Sequence, residues 1–178
     1  MLLTVGEFLT GGETNLVGLD PFKQVMELYR IESDLTLTWL ESHDVNQQVR
    51  YGASWSAMVS GHFGSNSQLK DLCFYDTKQN ELVFIGTKPF GELDSSIFDR
   101  SDFSQPVRYD QLCAGNFFSG SESGLALLTS SSGSESIWFR SNSNADEDQV
   151  WKVPKEWSWM ASGDFMSIGT DQVLLHRR

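Results

Sequence analysis

A chain of 178 residues with 39% hydrophobic side chains, 15 glycines, 4 prolines and a formal net charge of −11 is long enough for one domain with a real core. Its acidity argues against a nucleic-acid or anionic-membrane surface, since both need clustered Lys and Arg, and no apolar run approaches the ~20 residues of a membrane span. The aromatic, glycine-rich, proline-poor mix suits many short strands joined by tight turns.

In chain order, Leu2–Phe8 and Asn15–Leu19 read as two strands around a turn at Gly11 and Gly12, where adjacent glycines supply positive φ without steric cost. Gln24–Ile31 alternates loosely and fits a strand or one amphipathic turn. Leu35–Leu40 alternates cleanly and reads as a strand, and polar Glu41–Tyr51 reads as a connection. Asp71–Tyr75 and Glu81–Gly86 are strands joined by the polar turn Asp76–Asn80. Pro89–Pro106 reads as irregular and acidic, with Ile97 and Phe98 as a short outer strand. Gly124–Thr129 and Ser136–Arg140 flank the flexible turn Ser130–Ser134. Asn142–Asp148 is a charged loop, Gln149–Val153 an outer strand ending at Pro154, and two further strands run to Arg178.

One unit recurs along this path. It centres on Gly-x-Phe at Gly6-Glu-Phe8, Gly61-His-Phe63, Gly115-Asn-Phe117 and Gly163-Asp-Phe165. An aromatic stands six residues before the Gly in three copies (Trp55, Tyr109, Trp157), and Leu3, Met58, Leu112 or Met160 stands three before. A polar residue closes the loop at Thr14, Asp71, Ser123 or Asp171, with two extra loop residues in the second copy. The copies fall near 1–19, 55–76, 109–129 and 157–176, with glycines 55, 54 and 48 residues apart. A repeat of about 40–50 residues marks a propeller or a related array. The chain therefore reads as a single all-β domain over 1–178: three four-stranded blades and a fourth half-blade. The four motif phenylalanines are expected to be buried at the junction of strand and turn.

The motif resembles the FG-GAP repeat of integrin α-subunit propellers and of many bacterial and fungal secreted proteins. Met58–Phe63 running on to Asp71–Asp76 matches best, followed by Met160–Phe165 with Asp171–Leu175. The resemblance implies a propeller fold, and in that family the loop after the motif often holds calcium between alternating acids. The loops here, Leu9–Glu13, Gly64–Lys70, Phe118–Glu122 and Met166–Thr170, lack that alternation, and calcium needs about 6–8 oxygen ligands. Asp71 and Asp171 therefore read as turn caps, with no metal and no cofactor expected.

No catalytic constellation emerges. There is no Gly-x-Ser-x-Gly, no phosphate-cradling Lys loop and no His-Glu-x-x-His. His43 beside Asp44 reads as an exposed loop pair. His62 fills a slot that also takes Glu7, Asn116 and Asp164, and His176 completes the three histidines. The acids from Glu92 to Asp102 read as solvated loop charge. Trp55, Tyr109 and Trp157 fit packing between blades better than sugar stacking. Cys73 and Cys113 read as buried free thiols. No basic-then-apolar leader and no Asn-x-Ser/Thr sequon occurs, which favours a cytoplasmic setting.

The function expected is a non-catalytic interaction or scaffold module. The alternatives are a carbohydrate-binding, lectin-like propeller and an enzyme whose site lies in partner-supplied blades. Half a blade leaves an open edge, so self-association, or completion by further blades of a longer chain, is also expected.

Overall fold

The structure is a computed structural model that describes residues 1–9, 12–45, 53–63, 69–87, 93–102, 108–118, 122–131, 134–140, 149–154, 157–167 and 169–177. Among these residues lie fourteen strands in four antiparallel sheets. The first sheet is β1 (Leu2–Gly6), β2 (Asn15–Asp20), β3 (Val25–Ile31) and β4 (Leu37–Asp44); the second is β5 (Trp55–Gly61), β6 (Asp71–Asp76), β7 (Glu81–Thr87) and β8 (Leu93–Asp102). The third is β9 (Gln111–Gly115), β10 (Gly124–Ser131), β11 (Ser134–Arg140) and β12 (Gln149–Val153), and β13 (Trp157–Gly163) pairs with β14 (Gln172–Arg177) as a hairpin. Each four-stranded sheet is a meander in which sequence neighbours pair. The chain divides into two compact units, Met1–Phe103 and Ser104–Arg178.

Several expectations need correction. Leu35 does not open a strand: it sits in a turn at φ 65, and β4 starts at Leu37. That turn is tied by the Leu35 N–H donating to the Glu32 carbonyl at 2.9 Å and the Thr36 N–H donating to Asp34 Oδ1 at 3.0 Å. Glu41–Asp44 continues β4 instead of forming a connection, because its backbone pairs with Val25–Leu28 of β3. The acidic stretch read as irregular is largely the ten-residue β8, paired along β7; like the charged ends of many sheets, its polarity suits an outermost strand.

Two turns repeat one design. Asp20 Oδ1 accepts the N–H groups of Phe22 and Lys23, and Asp76 Oδ1 accepts those of Lys78 and Gln79. Each is an Asx turn, in which the side chain replaces a backbone acceptor. Each ends in a left-handed residue, Gln24 at φ 58 and Asn80 at φ 57.

The core of the first unit lies between its two sheets. Val17, Leu19, Met26 and Leu28 from one meet Met58, Leu72, Phe74, Val83 and Ile85 from the other, with Phe8, Val45 and Trp55 at the margins. In the second unit Cys113, Ala126, Leu128, Ile137 and Phe139 pack with Met160, and Trp157, Val173 and Leu175 of the hairpin lie against them. The faces follow strand alternation. Second-strand residues two and four past the first residue (Val17 and Leu19, or Ala126 and Leu128) face the sheet that follows within the unit. Residues one and three past it (Leu72 and Phe74, or Val173 and Leu175) face the sheet that precedes. Each sheet thus has a forward and a backward face.

Candidate functional site

The repeat motif builds the joints between sheets, and strand register defines it better than spacing does. The motif glycine stands opposite the first residue of the second strand in every copy: Gly6 opposite Asn15, Gly61 opposite Asp71, Gly115 opposite Gly124, and Gly163 opposite Gln172. The closing positions are therefore Asn15, Gly124 and Gln172, not Thr14, Ser123 and Asp171, and the second loop is longer by one residue, not two. Asn15 and Asp71 do the capping. Asn15 Oδ1 accepts the Phe8 N–H at 3.2 Å, and Asp71 Oδ2 accepts the Phe63 N–H at 3.0 Å, both buried.

Glycine is required because the motif phenylalanine folds back over it. A Cβ on Gly6 would lie 3.0 Å from the Phe8 ring, and on Gly115 it would lie 2.9 Å from the Phe117 ring. The phenylalanines do not share one fate. Phe8 and Phe63 are buried and Phe117 is half-buried, but Phe165 is 56% exposed, contrary to expectation. The cause is its setting: Phe63 meets Phe84 edge-on at 5.1 Å and Phe117 meets Phe139 at 5.3 Å. Those partners lie on third strands, and the β13–β14 hairpin has no third strand among the described residues.

Across each joint the same pair of bonds recurs. In the first unit Ser60 Oγ donates to the Val5 carbonyl at 2.5 Å, and the Lys70 N–H donates to the Glu7 carbonyl at 2.8 Å. In the second unit Ser162 Oγ donates to the Ala114 carbonyl at 2.5 Å, and the Asp171 N–H donates to the Asn116 carbonyl at 2.9 Å. Asp171 does not cap its own turn. Its Oδ2 accepts the Asn116 N–H at 2.6 Å, across the joint.

The register also shifts at one repeat position, between Trp55 and Ala57 and again between Trp157 and Trp159. An extra residue there strengthens local twist and re-aims the aromatic. Trp55 is buried, its ring centroid lies 5.4 Å from that of Phe74, and its Nε1 donates to Gln24 Oε1 in the β2–β3 turn at 2.9 Å. Tyr109 is buried as well, and Trp157 is half-buried with its Nε1 enclosed. None of the three presents a free ring.

Of the histidines, His43 departs from expectation. It lies on β4, half-buried, with Nε2 3.1 Å from Glu41 Oε1 instead of in a loop pair with Asp44. Alternation puts Glu41 and His43 on the forward face, where with Phe8, Val17, Met26, Leu28 and Leu72 they line a small pocket between the first two sheets. Its polar groups are a single carboxylate and a single imidazole, without a nucleophile. Among the described residues no group of three or more His, Cys, Asp and Glu converges as a metal site would require. Cys73 and Cys113 are buried free thiols. Burial pushes the Cys113 thiol up to about 12 and raises Cys73 well above the ordinary range. Residues 46–52, 64–68, 88–92, 103–107, 119–121 and 141–148, which include the rest of the expected connection to Tyr51, most of the motif serines and several acids, lie outside the described residues.

Among the described residues three tryptophans are exposed. Trp39 is 56%, Trp151 58% and Trp159 51% exposed, joined by Leu3, Val5, Leu37 and Leu174. Sequence reading attended to the motif aromatics and passed over these, although Trp39 alternates with Leu37 in a strand pattern that was legible. No family model matches the chain, and no curated protein matches it either.

Proposed function

We propose that the four antiparallel units are propeller blades of FG-GAP type and that the chain serves as a non-catalytic protein-interaction module. The observation that carries this reading is the joint itself. The same serine–carbonyl and amide–carbonyl bonds link successive units twice, at equivalent positions, with forward face against backward face. Radial repetition of four-stranded sheets through one joint is how propellers are built. Exposed tryptophans favour a binding role, since large rigid aromatics dominate interface energetics.

The test is capture of a protein partner followed by reconstitution with the purified components. A stoichiometric complex that Trp151→Ala weakens supports the module. A second reading, a carbohydrate-binding propeller, draws on the same exposed rings, Trp39, Trp151 and Trp159, because sugars stack on accessible aromatic faces. Glycan-array binding without a protein partner would favour it and overturn the first.

A further inference from the structure

The pocket between the first two sheets is polar at its mouth and apolar at its floor. Phe8, Val17, Met26, Leu28 and Leu72 form the floor and are all buried, while Glu41 and His43 stand on the outer strand, each partly exposed. In the ladder Met26 lies opposite His43 and Leu28 opposite Glu41. The register shifts beside that pair and leaves Leu40 as the extra residue between Trp39 and Glu41. A bulge of this kind re-aims the side chains next to it, and here Glu41 and His43 take the face opposite Trp39.

Glu41 Oε1 is buried and accepts no hydrogen bond, although His43 Nε2 lies 3.1 Å away. Among the described residues no Lys or Arg pairs with Glu41. A buried carboxylate oxygen without a donor is costly, and an imidazole with its proton on Nδ1 places a second acceptor beside it. One donor group between the two atoms satisfies both. The charge of Glu41 favours a cation as that donor, and the floor favours an apolar body. Water would serve the acceptors but meet apolar side chains on every other side. A metal ion would find only these two ligands of its usual kind among the described residues.

We propose that this pocket binds a short primary alkylammonium ion, its nitrogen between Glu41 Oε1 and His43 Nε2 and its carbon tail on the apolar floor. The cavity measures about 20 Å³, room for about one or two water-sized groups, so the tail is one or two carbons long. Three N–H donors reach both acceptors and leave one for solvent at the mouth. A lysine side chain arriving from outside would enter ammonium first and leave the floor uncovered, so the ligand is the free amine. The site is separate from the exposed tryptophans, and its failure would leave the interaction reading untouched.

The test is a nuclear magnetic resonance titration of the full chain at neutral pH, where a primary amine is protonated. It follows the Met26 methyl and His43 ring signals, with sodium chloride at matched ionic strength as control. With two or three non-hydrogen atoms, methylammonium and ethylammonium should bind in the millimolar range and shift both signals saturably. Ammonium itself should bind about fourfold more weakly than methylammonium, the worth of one buried methylene. n-Butylammonium, too long for the floor, should bind no better than ammonium. Ethanol, which lacks the charge, should bind about tenfold more weakly than ethylammonium. Glu41→Gln keeps the shape and should weaken ethylammonium by about the same factor, with a circular dichroism spectrum like that of the wild type. Absence of saturable shifts in the wild type overturns the proposal, whatever the variant does. So does equal binding of ethanol and ethylammonium, or a lysine analogue blocked at both backbone ends that binds as well as ethylammonium. Tighter binding of zinc at the same two signals also overturns it, because the pair would then be a metal site.

Discussion

Ser60 donates its hydroxyl to the Val5 carbonyl at 2.5 Å, and Ser162 does the same to Ala114 at the other joint. A neutral hydrogen bond contributes about 0.5–1.5 kcal/mol net. Ser162→Ala should therefore cost about 1 kcal/mol by urea unfolding. The Ser60 contact is more exposed, and Ser60→Ala should cost about half as much. The sites lie in different units, so the double variant should show the sum. Two unchanged unfolding midpoints would sink the joint as described.

The motif phenylalanines should divide by burial. Phe63 is 5% exposed and packed on Phe84, so Phe63→Ala should cost about 3–5 kcal/mol. Phe165 is 56% exposed, and Phe165→Ala should cost under about 0.5 kcal/mol, as surface changes do. Equal costs in denaturant titrations would show that the fourth copy is packed like the second.

Glycine should matter most where the ring and a backbone-held side chain crowd it together. A Cβ on Gly115 would meet Asp171 Oδ2 at 2.8 Å and the Phe117 ring at 2.9 Å. Gly115→Ala should cost about 1–3 kcal/mol, in the range of overpacking. At Gly163 the nearest atoms are those of the exposed Phe165 ring, at 3.3 Å, and that ring is free to move aside. Gly163→Ala should therefore be nearly silent, and thermal melts of the two variants give the comparison.

The buried thiols set an alkaline limit. Both are raised in the folded state, Cys113 to about 12 from an ordinary value of 9.0. A raised folded value favours the protonated, folded form below pH 9. As pH climbs from 9 towards 12 the unfolded chain releases its thiol protons first, and stability falls. Stability should decline over that window, and Cys113→Ala should flatten the decline. At pH 8 neither thiol should react with iodoacetamide until the chain is unfolded; stoichiometric labelling of native protein would contradict the burial.

Calcium should not stabilise the fold. The carboxylates of Asp71 and Asp171 are already engaged by the backbone N–H groups of Phe63 and Asn116. Melting curves with and without excess chelator should coincide, and a drop of several degrees on chelation would reveal a metal site.

Most of the strands were legible because alternation and turn chemistry agreed, as at Asp71–Asn80. Legibility failed where local pattern and pairing diverged. Leu35 alternates with Leu37 and Trp39, yet a left-handed turn claims it. Glu41–Asp44 and the β8 stretch are polar enough to pass for loops, but an outer strand needs only a partner's backbone on one side. The repeat was legible from Gly-x-Phe, while its register was not. Spacing aligned Asp171 with Asp71, and only pairing shows that Gln172 stands where Asp71 does. The joints were beyond sequence reading altogether, since a serine before a glycine carries no sign of which carbonyl it will reach.

Donor and acceptor alternate along the chain. Serine precedes the motif glycine in the second and fourth hairpins, and Val5 and Ala114 hold that place in the first and third. The shifts at Trp55 and Trp157 fall in the same even copies. Lengthening such a chain by one unit would add either a carbonyl with no serine after it or a second serine in succession. Lengthening it by two keeps every donor after its acceptor. Growth in couples is thus the route that keeps every serine and every accepting carbonyl matched.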